Sequence, residues 1–459
     1  MPTPDTAERR TVLIIATLAA FLTPFMGSAV NIALPSIAAE FALDAVSLSF
    51  VASSYLLATA IFLVPLGRCA DIYGRKRVFT LGVTIFTVSA LLSALAPSGL
   101  MLILFRFIEG IGSAMIYGTG IAMITSVFPP EERGRALGIN VTAVYVGLSI
   151  GPLLGGYLTE FLTWRSIFLT NIPLGIYIVC QVRRHLAGEW ADACGERFDI
   201  VGSVFYGAML FAVVYGFSNL PDPAGIAAIV AGVALSVVFY AWETRTESPV
   251  LNVRLLSSNR AFAFSNLAAL INYGATFAVG FLLSLYLQVV RGLDPGAAGL
   301  VLITQPVIQA LFATPAGKLS DRVEPRYVAS AGMGLTAVGL ALLTLLTATT
   351  PMTYIIASLG LLGFGFALFS SPNTNAVMSS VDRSLYGLAS GMLATMRTTG
   401  MMFSLAIATV TFALFIGSTQ IGPEVQEPFM TSLQVAFSIF AALCTAGIFA
   451  SLARGRVRK

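Results

Sequence analysis

Gly67-Arg68-Cys69-Ala70-Asp71-Ile72-Tyr73-Gly74-Arg75-Lys76-Arg77 is a short polar run between two long apolar stretches, and it carries four of the chain's 26 Lys and Arg residues. A weaker copy, Gly317-Lys318-Leu319-Ser320-Asp321-Arg322-Val323-Glu324-Pro325-Arg326, places Gly317, Asp321 and Arg326 where the first has Gly67, Asp71 and Lys76. Each run reads as a loop closing a pair of helices. Two copies in one chain predict two related halves.

Working outward, the surroundings set the class. With 57% hydrophobic and 10% charged residues over 459 positions, the chain has too little charge to cover a water-facing surface, so it is expected to live in a lipid bilayer as an all-α integral membrane protein. The net charge of +4 then concerns the sidedness of loops and is no nucleic-acid footprint; no nucleic-acid partner is expected. Cys69, Cys180, Cys194 and Cys444 lack paired spacing and read as free thiols. The apolar run after Arg9 and Arg10 is too long for a signal peptide and reads as the first spanning helix.

Runs able to cross about 30 Å of hydrocarbon fall at 12–35, 48–66, 78–96, 99–127, 136–159, 165–182, 200–217, 225–242, 262–290, 298–317, 327–347, 352–372, 386–416 and 430–452. The bases check that pattern, because Lys and Arg of short loops stay in the cytoplasm. With an inside amino terminus, alternate connections hold all but four of the 26: Arg165 and Arg291 fall outside, and Arg106 and Arg397 within helices. A cell-membrane protein with both termini cytoplasmic is expected. The first polar run follows helix two and its copy follows helix ten, so helices seven and eight read as an insertion. The expected division is a six-helix half over 1–199, an inserted pair over 200–242 and a second six-helix half over 243–459.

These residues resemble the major facilitator superfamily, in particular its fourteen-helix drug:proton antiporters, over nearly the whole chain. Gly67 to Arg77 is similar to the signature loop, Arg106 with Glu109, Gly110 and Gly112 to the fourth-helix motif, and Gly147, Gly151, Pro152, Gly155 and Gly156 to the antiporter motif of helix five. Asn31 to Pro35 resembles the end of the first-helix motif, Trp164-Arg165 with Asn171 and Pro173 the start of helix six, and Arg397 the arginine of helix thirteen. Met26 stands where the first-helix motif usually has Asp, and Glu109 where Gln is common. The resemblance implies a major facilitator fold and secondary active transport.

The same residues carry physical meaning of their own. Gly147, Gly151 and Gly155 share one helix face and admit a neighbouring backbone, while Pro152 removes a helix hydrogen bond and bends the rod, so this face can seal or flex and all four are expected to serve conformational gating. Asp71 is a fixed charge at the cytoplasmic surface, positioned to clasp the positive end of helix thirteen near Ser384 to Gly387, with Gly67, Arg75 and Asp321 in the same gating role. Glu109 is the only acid well inside a spanning helix, roughly 13 Å below Leu100 at about 1.5 Å per residue. Arg106, one turn earlier, shares its face. Glu109, Arg106 and Asp71 are therefore the expected proton-coupling residues, since an ionisable group at that depth is costly unless used. Asn31, Tyr55, Tyr117, Tyr145, Asn272, Tyr273, Gln305, Gln309, Asn375 and Arg397 are the substrate-cavity candidates.

Other pattern matches fail on context. Gly147-Leu148-Ser149-Ile150-Gly151 fits a nucleophile elbow but lies inside an apolar helix. Asn140-Val141-Thr142 sits at a cytoplasmic helix end, and Met115 breaks the glycine pattern begun by Gly110 and Gly112. His185, the only histidine, follows Arg183 and Arg184 in a polar connection, so neither a metal cluster nor a histidine triad is expected, and no cofactor. A membrane enzyme or a receptor would need catalytic groups or a signalling tail that the sequence does not display. The expected function is proton-coupled export of small lipophilic compounds by a monomer, with a proton-coupled or facilitative carrier of an endogenous organic metabolite as the alternative.

Overall fold

The computed structural model describes residues 6–186, 188–220, 222–251, 253–382, 385–417 and 419–455. Ser384, at the expected start of helix thirteen, and four of the counted bases, Arg383, Arg456, Arg458 and Lys459, lie outside the described residues. Among the described residues fourteen helices are long and apolar enough to cross a membrane. They are helix one (Glu8–Phe41), two (Ala45–Tyr73), three (Arg75–Ala94), four (Gly99–Val127), five (Glu132–Phe161), six (Arg165–His185) and seven (Ile200–Phe217). Helix eight (Pro223–Glu243), nine (Arg260–Val290), ten (Pro295–Ser320), eleven (Pro325–Leu343), twelve (Met352–Ser379), thirteen (Tyr386–Phe415) and fourteen (Gln426–Ala453) complete the set. The protein is an all-helical, multi-pass membrane protein.

The opening polar run corrects one expectation. Helix two does not stop before Gly67; it continues through the run to Tyr73, and only Gly74, at φ 117°, breaks it. Few side chains tolerate that backbone angle. The polar residues stay helical because their groups pair locally: Arg75 donates from Nε and Nη2 to Asp71 at 3.0 and 2.7 Å across the break. In the second copy Pro325 occupies the position matching Arg75, helix ten ends at Ser320, and Asp321 is exposed.

Helices one to six pack on one another, as do nine to fourteen, and the two groups meet through helices one with nine, two with thirteen and five with ten. Helices seven and eight pack chiefly against each other, with helix seven resting on helices two and thirteen. They sit at the periphery: 28% and 17% of their apolar windows are buried, against 72% for helices two and nine. Their Val204, Phe211, Val230 and Val237 are exposed, as suits a lipid-facing surface. Helix nine is interrupted at Phe277, and the amide freed there at Ala278 donates to Ser404 Oγ of helix thirteen at 2.9 Å. A broken helix inside a bilayer needs such a partner for its backbone.

A membrane-buried cavity between the two helix groups

The face that carries the start of helix one, at Thr6, and the end of helix fourteen, at Arg454, is called here the terminal face. A cavity of about 280 Å³ lies between the groups, lined by residues of helices one, two, four and five from one and nine, ten, twelve and thirteen from the other. Its wall starts near the terminal face, at Ala16 and Asn140, and ends at Asn31, Pro152 and Gly280. Beyond those residues the groups are stitched together. Ser284 Oγ donates to the Asn31 carbonyl at 2.8 Å, Gln288 Nε2 to that of Ile32 at 2.9 Å, and the Gly296 amide to Glu160 Oε2 at 2.9 Å. Thr409 Oγ1 donates to Ser49 Oγ at 2.8 Å and the Ala45 amide to the Thr419 carbonyl at 3.1 Å. The cavity is thus closed toward the face opposite the termini.

Helix five owes its position to its glycines. A side-chain carbon on Gly147 would lie 2.5 Å from the Phe21 carbonyl oxygen, one on Gly155 2.7 Å from that of Ala29, and one on Gly151 would collide with Ser28. All three partners belong to helix one, so the glycine face seats helix five on helix one within the same group. Gly156, on another face, meets Pro295 of helix ten. Pro152 lines the cavity at the closed end.

Eight of the ten cavity candidates do line it: Asn31, Tyr55, Tyr117, Tyr145, Tyr273, Gln305, Gln309 and Arg397. Two do not. Asn272 is fully buried between helices nine and fourteen, 4.0 Å from Cys444 Sγ, and Asn375 donates to Ser320 Oγ at 2.7 Å, tying helix twelve to the end of helix ten. Sequence distance along one helix cannot separate a side chain facing the cavity from one facing a neighbour in the same group. Asn140, Phe277 and Phe366 line it as well and were absent from the candidates; the two phenylalanines stand among other aromatics of their helices, so the sequence does not tell which of them face the cavity. Tyr145 crosses the interface, its hydroxyl 2.7 Å from Ser370 Oγ.

Arg106 and Glu109 form the expected pair at 2.9 Å, both essentially inaccessible. Neither lines the cavity. Tyr55 stands between: its ring lies 4.3 Å from the Arg106 guanidinium carbon, and its hydroxyl donates to Ser113 Oγ at 2.8 Å and the Thr23 carbonyl at 3.1 Å. Glu109 Oε1 has no hydrogen-bond partner among the described residues. Met26 is buried against Asn171 rather than lining the cavity, so the side chain standing in for the usual acid packs inside its own helix group.

Asp71 holds Arg75. Arg75 also donates to Ser126 Oγ at 2.8 Å and pairs with Asp192 at 2.8 Å. The connection after helix six lies against the run: the Ala193 amide donates to the Asp71 carbonyl at 2.9 Å, the Lys76 amide to Glu189 Oε1 at 2.8 Å, and Arg68 pairs with Glu196. Among the described residues no contact joins Asp71 to helix thirteen, and Ser384, where the clasp was expected to begin, lies outside them. The pair Asp71–Arg75 is part-exposed and contributes about 0.5–1 kcal/mol, so Asp71→Asn is expected to slow transport about two- to fivefold while the purified protein stays monodisperse. Turnover equal to the parent's would remove Asp71 from gating. Gly67 has its nearest neighbour, the Gly118 Cα, 3.9 Å from where a Cβ would sit, so Gly67→Ala fits and only larger side chains force helices two and four apart.

Glu243, at the end of helix eight, is a second buried carboxylate, which reading by helix depth missed. Its Oε2 accepts from the Leu251 amide at 3.0 Å, anchoring the segment that leads to helix nine.

The model of the Major Facilitator Superfamily matches residues 16–182 and 266–459, leaving unmatched a stretch that includes helices seven and eight. The riboflavin transporter RibZ of Clostridioides difficile (strain 630) is 29% identical over 440 residues, which covers 95% of each chain. The cephamycin export protein CmcT of Amycolatopsis lactamdurans is 34% identical over 417 residues, covering 88% of this chain and 85% of that one. Among solved structures, a bacterial homologue of the human lysosomal transporter Spinster, in an inward-facing and unoccupied conformation, superposes with a TM-score of 0.66 over 98% of both chains at 18% identity.

Proposed function

The chain belongs to the Major Facilitator Superfamily and is a membrane transporter, and from that premise we propose that it exports small, largely apolar organic compounds from the cytoplasm in exchange for protons. The observation that carries this reading is the cavity between the two helix groups, joined by hydrogen bonds at one end and reaching toward the terminal face at the other. That is the geometry of one half of an alternating-access cycle. The concentration of Lys and Arg in connections on the terminal face supports a cytoplasmic orientation for it, and so loading from inside a cell. The cell membrane is the expected location, the two six-helix groups the moving bodies, helices seven and eight an inserted pair, and one chain the working unit.

Proton coupling is assigned to Glu109. It is the carboxylate of helix four that sits behind the cavity wall, with an unpartnered oxygen, and its partner Arg106 lies against the ring of Tyr55, which lines the cavity. A rotation of Tyr55 would open a path, and protonation of Glu109 would release Arg106 to pull on helix two through the Val51 carbonyl, 3.4 Å from its Nε. Of its relatives, CmcT is a cephamycin export protein and RibZ a riboflavin transporter, which supports an organic cargo with rings.

The test uses proteoliposomes loaded with a fluorescent aromatic probe. An imposed pH gradient is expected to drive protein-dependent probe movement, and a protonophore to stop it. Probe movement indifferent to the gradient would overturn the coupling and leave a facilitative carrier; chemical conversion of the probe without movement would overturn transport of this class of compound.

A further inference from the structure

The charge on the cavity wall has a sign. Arg397 is the only formally charged residue among the described residues that line it; no Asp, Glu or Lys is present to balance it. Its Nη2 donates to Thr374 Oγ1 at 2.6 Å, its Nε is buried without a hydrogen-bond partner, and no carboxylate pairs with it among the described residues. A guanidinium stays protonated at any pH the protein meets, so the positive charge is permanent. Such a charge facing a largely apolar cavity attracts a counter-charge, and the described residues that line it supply none. A second donor points the same way: Gln309 is 7% exposed, lines the cavity, and has an unpartnered Nε2. Beside these donors the wall is aromatic. The Arg397 guanidinium carbon lies 5.6 Å from the ring centre of Tyr273, whose ring meets Phe366 edge to face at 5.1 Å.

We propose that the cavity selects planar aromatic organic anions, with the guanidinium of Arg397 as counter-charge and Gln309 Nε2 as a further donor to acceptor-rich substituents. The Arg397 fork suits a carboxylate or sulfonate, which can accept from two of its N–H groups at once. The tyrosine and phenylalanine rings suit a flat fused-ring body by stacking and edge contacts. A cavity of about 280 Å³ lies at the small end of ligand pockets and suits a bicyclic or tricyclic ligand. A cation would meet like charge with no acid to accept it. This assignment rests on the cavity being the transport site.

Three probes of one shape decide it: 2-naphthoate, 2-naphthamide and protonated 2-naphthylmethylamine, titrated calorimetrically into the full-length protein in lipid nanodiscs at neutral pH. Naphthoate is expected to bind about tenfold more tightly than the amide, as one charge-assisted bidentate contact provides, with the amine weakest. Arg397→Gln should bring naphthoate down to the level of the amide. Arg397→Lys, which keeps the charge and loses the fork, should retain a reduced preference for the acid, and it decides the question if the Gln variant is not monodisperse. An amine that binds as well as the acid, an acid preference that survives in Arg397→Gln, or no binding by any probe would each overturn the assignment. Naphthoate bound through Arg397 but never carried across proteoliposomes would keep the anion site and remove the export reading. Gradient-driven carriage of cationic probes with no acid preference would do the reverse.

Discussion

Glu109→Gln is expected to give folded protein that still exchanges substrate across proteoliposomes but loses at least about tenfold of its pH-gradient-driven transport, the equivalent of some 1.4 kcal/mol or more of coupling. The substitution keeps the shape of the side chain and an oxygen that can accept from Arg106 Nη1, now 2.9 Å from Glu109 Oε2. It removes the proton. The cost to stability should be about 1–3 kcal/mol, because the Arg106 guanidinium remains charged, 1% exposed, and is left with a neutral amide, the Val51 carbonyl and the Tyr55 ring. Arg106→Met should behave differently. A lone carboxyl can neutralise itself by taking up a proton, which a lone guanidinium cannot do. Arg106→Met should therefore unfold at a higher temperature than a Glu109→Met variant in the same detergent. Gradient-driven transport at the parent's level in Glu109→Gln, with the exchange rate also unchanged, would show the pair to be structural and remove Glu109 from the coupling step.

Gly155→Leu should abolish accumulation of the folded protein, and Gly155→Ala should destabilise it by about 1–3 kcal/mol, the usual cost of overpacking, or more. The reason for the upper end lies in what the new carbon meets. A Cβ on Gly155 would come within 2.7 Å of the Ala29 oxygen and 2.9 Å of its Cα, and backbone in the middle of a helix cannot swing aside as the tip of a side chain can. Gly147→Ala should act similarly through the Phe21 carbonyl. Since both contacts lie on the one seam between helices one and five, their costs should combine less than additively: once the first has pushed the helices apart, the second finds room. Gly138→Ala, on the same helix with open space around it, is the control and should change little. Thermal unfolding of Gly155→Ala, Gly147→Ala, their combination and Gly138→Ala in detergent checks the ranking. A Gly155→Ala protein that unfolds at the temperature of the Gly138→Ala control would show that the seam is loose and that helix five is held by other contacts.

Much of this molecule was legible before any coordinates. Fourteen spans could be counted because hydrocarbon imposes its own thickness on each apolar run, a constraint that acts on composition over some twenty residues and needs no knowledge of neighbours. The sidedness of the bases rests on the same bilayer. The glycine spacing on helix five announced a close helix contact, and the one-turn separation of Arg106 and Glu109 announced their pairing, because both are properties of a single helix.

What the chain alone left open was decided where helices meet. That Gly147, Gly151 and Gly155 seat on helix one, that Asn272 and Asn375 turn away from the cavity while Gln309 turns toward it, and that Tyr55 screens the Arg106–Glu109 pair depend on the rotation of each helix about its axis. Helices two, five and thirteen carry only a weak amphipathic stripe, so their lipid-facing, packed and cavity-facing sides hold similar residues and little in the sequence records the rotation. The unbalanced charge of Arg397 is of the same kind. Its sequence shows a base in helix thirteen; that no acid among the described residues of helices one, two, four, five, nine, ten and twelve lines the shared cavity is a fact about eight helices at once, and only their packing could establish it.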